Sequence, residues 1–146
     1  MTISSFTGDY RWLSNFSSHS FYGPSNVWFK TNEHFYQSMK TVDVEEKERI
    51  INCDTPNCAK KLGQLCTIRS DWNNIKLDIM RIGLRNKFNQ NPIIKQYLID
   101  TGDEELIEGN YWGDRYWGVC NGEGQNWLGK LLMELRTNFK HMEIFE

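Results

Sequence analysis

The chain has 146 residues, of which 25% are charged, and its formal net charge at pH 7 is −2. This length suits one domain with a substantial core, and the small charge excludes a strong long-range attraction to nucleic acid or to a membrane. No apolar run approaches the ~20 residues of a membrane span, and the N-terminus lacks the basic and apolar regions of a signal peptide. We therefore expect one domain over residues 1–146, in the cytoplasm.

Short strands are predicted in the first thirty residues, which are rich in Ser, Gly and aromatic residues. One strand covers residues 21–22, and another covers 27–29, with a Gly-Pro turn between them. Thr31 is a good N-cap for a helix over residues 31–41. The N-terminal part of the chain is therefore expected to lead from two short strands, with a turn between them, into a helix.

Helices are predicted for most of the middle of the chain. One covers residues 44–52, and another runs from the N-cap Thr55 to about residue 63. The longest helix is expected to begin at Ser70-Asp71-Trp72. Its apolar positions form one broad face, with Met80 and Phe88 at the edges; the central members are Trp72, Ile75, Ile79, Ile82 and Leu84.

Helix and short strand alternate in the C-terminal part. A helix restarts at Asn91-Pro92 and stops at Thr101-Gly102, where glycine suits the C′ position. Strands are predicted at residues 106–107 and 116–119, and a final helix at 126–138. The expected fold class is α+β, helix-dominated, with a few short strands.

One face of the predicted helix 31–41 combines a carboxylate, an amide and an amine. Glu33, Gln37 and Lys40 stand at i, i+4 and i+7, while Phe35 and Met39 can bury another face. An exposed helix with its charges matched to its dipole would give the same pattern. The alternative is a functional face, on which a partly desolvated lysine beside a carboxylate acts as nucleophile or base.

Two segments carry polar groups that could hold a phosphorylated ligand. In Arg11-Trp12-Leu13-Ser14-Asn15-Phe16, the Asn15 amide could cap a turn or face a sugar or a base edge. Arg69 stands just before a helix start, where it could bind a phosphate together with free backbone N–H groups.

The segment 108–118 interleaves acidic residues, aromatic residues and glycines. This mixture makes a poor core but a suitable pocket, with aromatic faces for a flat ligand and carboxylates to act on it. Asp114 could equally cap its own turn, and Glu108 could be an exposed acid at a strand end. Trp112 and Trp117, with Trp72, are candidates for stacking on the ligand, although large aromatic residues usually belong to the core.

The cysteines give no Cys-x-x-Cys pair and no histidine at zinc-finger spacing. We expect free thiols that behave as small buried hydrophobic residues, and no metal site.

Taken together, these segments resemble the NADAR domain (YbiA-like) family. The matching motifs occur in one order over about residues 6–136. They are Trp12-Leu13-Ser14-Asn15-Phe16, Thr31-Asn32-Glu33-His34 with Gln37 and Lys40, Ala59-Lys60-Lys61-Leu62-Gly63, Arg69-Ser70-Asp71-Trp72, Lys87-Phe88, Thr101-Gly102, Glu108 with Asp114-Arg115-Tyr116-Trp117-Gly118, and Gly124-Gln125-Asn126-Trp127-Leu128-Gly129 leading to Leu132-Met133 and Arg136. Asn32 departs from the family's pattern, in which a small or apolar residue is expected.

The resemblance implies an N-glycosidase that acts on ribosyl–nitrogen bonds, without a cofactor or an obligate protein partner. Two nucleotide-like substrates are implied: ADP-ribose attached to guanine in DNA, and the phosphoribosylamino-pyrimidines of riboflavin synthesis. The catalytic residues would be Glu33, Lys40 and Asp114. The substrate-binding residues would be Arg11, Asn15, Arg69, Trp72, Glu108, Trp112 and Trp117.

Two mechanisms fit these residues. Either a carboxylate stabilises the positive charge that develops at ribose C1 while water attacks, or Lys40 attacks C1 and forms an imine. We favour the lysine, although the sequence shows neither the desolvation nor the neighbouring cation that a neutral amine requires. A non-catalytic ADP-ribose reader and a protein-interaction domain are the alternatives; neither needs all three catalytic residues.

Overall fold

The computed structural model describes residues 1–145, and within them the chain divides into two compact units. A central unit spans Asn15–Asn91, and a discontinuous unit combines Met1–Ser14 with the chain from Pro92 onward. The helix-dominated α+β class is confirmed, while the single domain over residues 1–146 stays a prediction. The elements, besides two 3-10 helices at Gly8–Leu13 and Pro24–Asn26, are β1 (Thr2–Ile3), β2 (Phe21–Tyr22), β3 (Trp28–Phe29), α1 (Asn32–Ser38), α2 (Val44–Asn52), α3 (Pro56–Leu65), α4 (Trp72–Asn89), α5 (Pro92–Asp100), β4 (Glu105–Leu106), β5 (Gly109–Asn110), β6 (Val119–Cys120) and α6 (Trp127–Phe145).

The central unit is built around α1, on which α2, α3, α4 and β3 pack. The two predicted strands are present, the second one residue shorter than expected, and β2 and β3 pair antiparallel. The predicted caps are also confirmed, because the hydroxyls of Thr31 and Thr55 accept hydrogen bonds from backbone N–H groups of α1 and α3. A seven-residue helix is too short to be stable alone, so tertiary packing holds α1 in place.

Helix α1 ends earlier than predicted. The helix stops at Ser38, whose hydroxyl donates to the Phe35 carbonyl, and the N–H of Lys40 turns back to the Gln37 carbonyl. The Lys40 carbonyl then accepts a hydrogen bond from the N–H of Arg69 at 2.7 Å. Lys40 therefore lies in a turn beyond the helix instead of on its face.

The buried face of α4 differs from the predicted one. Met80 and Phe88 are fully buried in its centre, whereas Ile75 and Ile82 are only half-buried. Lys87 is also completely buried, with its Nζ 5.2 Å from the centre of the Phe88 ring. A charged residue type inside an apolar face was not expected, because lysines are rarely buried.

Lys87 is expected to make stability depend on pH. Burial lowers the pKa of Lys87 to about 7, so above that pH the folded protein loses a proton that the unfolded chain still holds. The free energy of unfolding should therefore rise with pH between about pH 7 and 10, by at most about 1.4 kcal/mol per unit. Urea unfolding at several pH values should show a steeper rise in the wild type than in Lys87→Met, in which only lysines such as Lys40 and Lys47 still contribute. An equally steep rise in the variant would mean that Lys87 is not its source.

The discontinuous unit holds two short parallel strand pairs. Strand β1 pairs with β4, and β5 pairs with β6. Helix α6 packs on β4 and on α5. The guanidinium of Arg136 on α6 donates to the Thr101 hydroxyl and to the Glu104 carbonyl, which fixes the predicted end of α5.

Some predicted bounds in this unit were wrong. The strand expected at residues 116–119 is β6 at Val119–Cys120, because the N–H groups of residues 116 and 117 bond to the Asp114 side chain. Helix α6 runs to Phe145 instead of 138 and, at 19 residues, exceeds the 18 residues of α4, which was expected to be the longest.

The four cysteines are free, as predicted, but only Cys120 is buried. Among the residues that the structure describes, no helix combines the length and the apolar character required to cross a membrane.

Candidate active site

Helix α1 carries Glu33 into the interior of the central unit. The side chain is only 6% exposed, and its Oε1 accepts a hydrogen bond from Gln37 Nε2 at 2.7 Å. The backbone N–H of Glu33 donates to the Asn15 carbonyl at 3.0 Å. The alternative of an exposed helix is excluded, because every residue of α1 is buried. Glu33 is thus a fixed, desolvated acid.

Lys40 is half-buried, and its Nζ lies 5.6 Å from the centre of the Tyr36 ring. Burial lowers the pKa of Lys40; Glu33 and the Cys66 thiol act in the opposite direction, and Lys60 and Lys76 lower it further. The desolvation and the neighbouring cations that the sequence did not show are therefore both present.

Asn15 and Asn32 form a buried amide pair behind Glu33. Asn32 Nδ2 donates to Asn15 Oδ1 at 2.8 Å, and the Nδ2 groups of both residues point to the Met80 sulfur. Both ends of the Asn15 amide are engaged by protein groups. Asn32, where the family pattern suggests a small or apolar residue, is completely buried and belongs to the support of the site.

Two helical glycines let α1 approach its neighbours closely. A side chain at Gly63 of α3 would overlap the Gln37 amide, and one at Gly83 of α4 would overlap the Asn32 amide. Within residues 1–145, the buried oxygens Gln37 Oε1 and Asn32 Oδ1 have no hydrogen-bond donor. Each oxygen faces a glycine instead, so the hydrogen bonds of the amide nitrogens and the close packing on these glycines together set the position of both amides.

Arg69 contacts Lys40 through a backbone hydrogen bond, and Trp72 packs on the Tyr36 ring over which the Lys40 amine lies. The Arg69 guanidinium forms a two-point pair with Asp71, at 2.6 and 3.2 Å, which lowers the pKa of that carboxyl. Trp72 is 6% exposed and packs on Tyr36 with ring centres 5.1 Å apart. Trp72 is therefore a core residue that supports the ring beneath Lys40, and its predicted stacking on a ligand is not favoured by this burial.

In the discontinuous unit, Asn110 joins Glu108 to Asp114. Its Nδ2 donates to Glu108 Oε2 at 3.1 Å and to the Asp114 carbonyl at 2.9 Å, and its Oδ1 accepts from the Asp114 N–H. Asp114 Oδ1 caps the N–H groups of Tyr116 and Trp117. The carboxylate thus has the turn-capping role that the sequence allowed as an alternative, and Gly118 packs directly on Glu108.

A groove of about 620 Å³ opens beside this network. Tyr111 and Trp112 line it and are 91% and 51% exposed, with their rings edge to face at 5.2 Å. Trp117 is half-buried against Tyr116. Arg11 is exposed at the 3-10 helix of this unit. Each of these exposed rings offers a flat apolar face of its own.

The structure thus brings the predicted residues together in two groups. The central unit assembles Glu33, Lys40, Asn15, Arg69 and Trp72, and the discontinuous unit assembles Glu108, Asp114 and Trp117. Sequence reasoning missed Tyr36, Lys60 and Lys76. Gly63 within a helical pattern was the available signal, because such a glycine indicates close approach of another chain segment.

Comparisons with known proteins agree with this picture. The family model described as "NADAR domain" matches residues 5–140. The chain is 37% identical to N-glycosidase YbiA of Shigella flexneri over 131 residues, which cover 88% of this chain and 81% of that protein. It is 34% identical to riboflavin biosynthesis protein VVA0006 of Vibrio vulnificus, over 88% of this chain and 35% of that protein. The NMR structure of the Escherichia coli protein YbiA superposes with a TM-score of 0.89 at 31% identity, covering 100% of this chain and 88% of that one.

Proposed function

Because the chain belongs to the NADAR domain family, we propose that it is an N-glycosidase that cleaves a ribosyl C1–N bond. The observation that carries the proposal is the buried, hydrogen-bonded Glu33, whose charge acts on the partly desolvated Lys40. The names of relatives such as the Shigella flexneri N-glycosidase support the same activity. The preferred substrate is ADP-ribose linked to a guanine base of nucleic acid.

In the proposed reaction, the neutral Lys40 amine attacks ribose C1. The C1–N bond breaks and its electron pair leaves with the base nitrogen, which is protonated by the proton that Glu33 has taken from the amine. The bond from C1 to the ring oxygen then breaks, a C=N bond forms between C1 and Lys40, and the second amine proton passes to the released ring oxygen. Water hydrolyses this imine to release the ribose aldehyde and restore the amine. The Glu33 carboxylate also stabilises the positive charge that develops at C1.

The environment of Lys40 supports this role. An ammonium group cannot attack carbon, so the enzyme needs a fraction of Lys40 in the neutral form. Burial and the charges of Lys60 and Lys76 lower the pKa of Lys40 and increase that fraction. The carboxylate of Glu33 has the opposite effect and raises the pKa of Lys40. The same carboxylate can take the proton that the amine loses when it attacks.

For Asp114, we propose electrostatic stabilisation of the cationic transition state. Asp114→Asn keeps an oxygen for the N–H groups of Tyr116 and Trp117 but removes the charge. We expect kcat to fall about 10- to 100-fold with an unchanged melting temperature. Unchanged kcat would leave Asp114 with the turn-capping role alone.

For Trp112, we propose stacking on the base. Trp112→Ala is expected to raise KM about 5- to 100-fold without unfolding the protein, because the ring is half exposed. Trp28→Ala is the matched control, since that ring is 49% exposed and also pairs edge to face with a tyrosine. Steady-state kinetics and thermal melting separate the outcomes; an equal KM for Trp112→Ala and the wild type would remove Trp112 from the site.

The second candidate substrate is a phosphoribosylamino-pyrimidine. The Vibrio vulnificus relative that is named as a riboflavin biosynthesis protein favours it. The same attack at C1 would release the aminopyrimidine and ribose phosphate.

Mass spectrometry of two parallel reactions tests these proposals. One reaction contains a single-stranded oligonucleotide with ADP-ribosyl-guanine, and the other contains a phosphoribosylamino-pyrimidine. Restoration of the unmodified oligonucleotide supports the first substrate, and release of the free pyrimidine supports the second. If neither changes while ADP-ribose binds, the protein is a reader and the glycosidase proposal fails.

A further inference from the structure

Two lysines from different helices approach Lys40. Lys60 of α3 lies one turn before Gly63, whose open face receives the Gln37 amide. Lys76 of α4 lies one turn after Trp72, which packs on Tyr36, the ring beneath Lys40 Nζ. Since side chains one turn apart share a face, both lysines lie on the sides of their helices that face α1. Both are half-buried.

Charges of both signs act on the amine of Lys40. Among residues 1–145, those that act on its amine are the Glu33 carboxylate, the Cys66 thiol and the ammonium groups of Lys60 and Lys76. On α2, the Nζ of Lys47 lies 3.8 Å from the Met39 sulfur, and burial, together with the positive charge of Arg69, lowers the pKa of Lys47. Partial burial weakens screening by solvent, so an anion that binds between Lys60 and Lys76 is attracted by both ammonium groups and reduces their mutual repulsion.

We propose that Lys60 and Lys76 form a phosphate subsite that binds the 5-phosphoryl group of the ribose attacked by Lys40. This inference rests on the proposed function. Both candidate substrates carry a phosphoryl group on the 5-oxygen of this ribose, so the phosphate and the reacting C1 belong to the same sugar. Lysine ammonium groups suit phosphate as mobile point charges. The subsite would therefore recognise the ribose 5-phosphate that the two substrates share, and other residues would bind the base.

The closing experiment compares a phosphorylated and a phosphate-free substrate. The first is the oligonucleotide with ADP-ribosyl-guanine, and the second is the same oligonucleotide trimmed enzymatically to ribosyl-guanine. Lys60→Gln and Lys76→Gln should each raise KM for the first about tenfold or more, and change kcat/KM for the second less than about threefold. Lys61→Gln is the matched control, because Lys61 is the exposed neighbour on α3. An equal loss on both substrates would overturn the subsite.

A pH profile adds a readout that loss of packing would not give. Lys60 and Lys76 lower the pKa of Lys40, so their removal should shift the acid limb of kcat/KM to higher pH. With Lys61→Gln the limb should stay where it is in the wild type. A limb that stays in place in Lys60→Gln and Lys76→Gln would also contradict the subsite.

A binding measurement separates this proposal from the glycosidase activity. Inorganic pyrophosphate should raise the melting temperature of the wild type and of Lys61→Gln, and should fail to do so in the Lys60→Gln/Lys76→Gln double variant. That pattern supports the subsite even if neither substrate is turned over. Equal stabilisation of the double variant, or none of the wild type, would overturn the subsite even if turnover is observed.

Discussion

Lys40→Met should reduce turnover by about 10³-fold or more, since the proposed reaction has no other nucleophile. Methionine keeps a side chain of similar length against Tyr36, so the fold and the KM should change little. Borohydride added during turnover should trap the imine as a covalent sugar adduct on the wild type, detected by mass spectrometry at the peptide that contains Lys40. The adduct should be absent from Lys40→Met.

Lys47→Met is the control for this variant. Lys47 is also half-buried, and its pKa is also lowered by burial, but it lies on α2 against the Met39 sulfur. We expect near-normal turnover there. Normal turnover of Lys40→Met would exclude the proposed site, and lost turnover with no adduct in the wild type would replace the imine by direct attack of water.

Glu33→Gln should lower kcat by about 10²- to 10³-fold while the protein stays folded. The new amide oxygen can still accept the hydrogen bond of Gln37, so the shape of the buried pair survives and only the charge is lost. The charge of Glu33 raises the pKa of Lys40, and its removal should therefore move the acid limb of kcat/KM to lower pH. A purely structural carboxylate would lower activity without moving that limb.

The comparison for Glu33→Gln is Glu46→Gln on α2. Glu46 accepts hydrogen bonds from the N–H and the hydroxyl of Thr67, and burial, together with the negative charge of Glu46, raises the pKa of the Cys66 thiol. Removing it should leave the pH profile in place. If both variants lose activity equally and the limb moves in neither, Glu33 has no special electrostatic link to Lys40.

Local signals predicted most elements of the fold. Thr31 and Thr55 were identified as caps because a hydroxyl before a helical pattern satisfies free N–H groups, and this depends only on near neighbours. The two-residue strands β1 and β5 were missed because so short a strand shows no periodicity, and long-range pairing alone defines it.

The site was predicted less fully than the fold. The assignment of Glu33 and Lys40 as catalytic residues stays a prediction, and the helical repeat placed Lys40 on a polar face that the structure does not have. Its actual position depends on the bond from the Arg69 N–H, a partner 29 positions along the chain, and its pKa depends on α3 and α4. Burial of Lys87 was missed for the same reason, since tertiary packing and not residue type decides it.

The glycines at 63 and 83 have a consequence for how the protein tolerates change. Neither residue has a side chain that could take part in chemistry. A side chain at position 63 on α3 would nevertheless displace the Gln37 amide, and one at position 83 on α4 would displace the Asn32 amide. Gln37 holds Glu33, so the disturbance would reach the acid without touching it. In a saturation library selected for activity, positions 63 and 83 should be as restricted as Lys40, the proposed nucleophile.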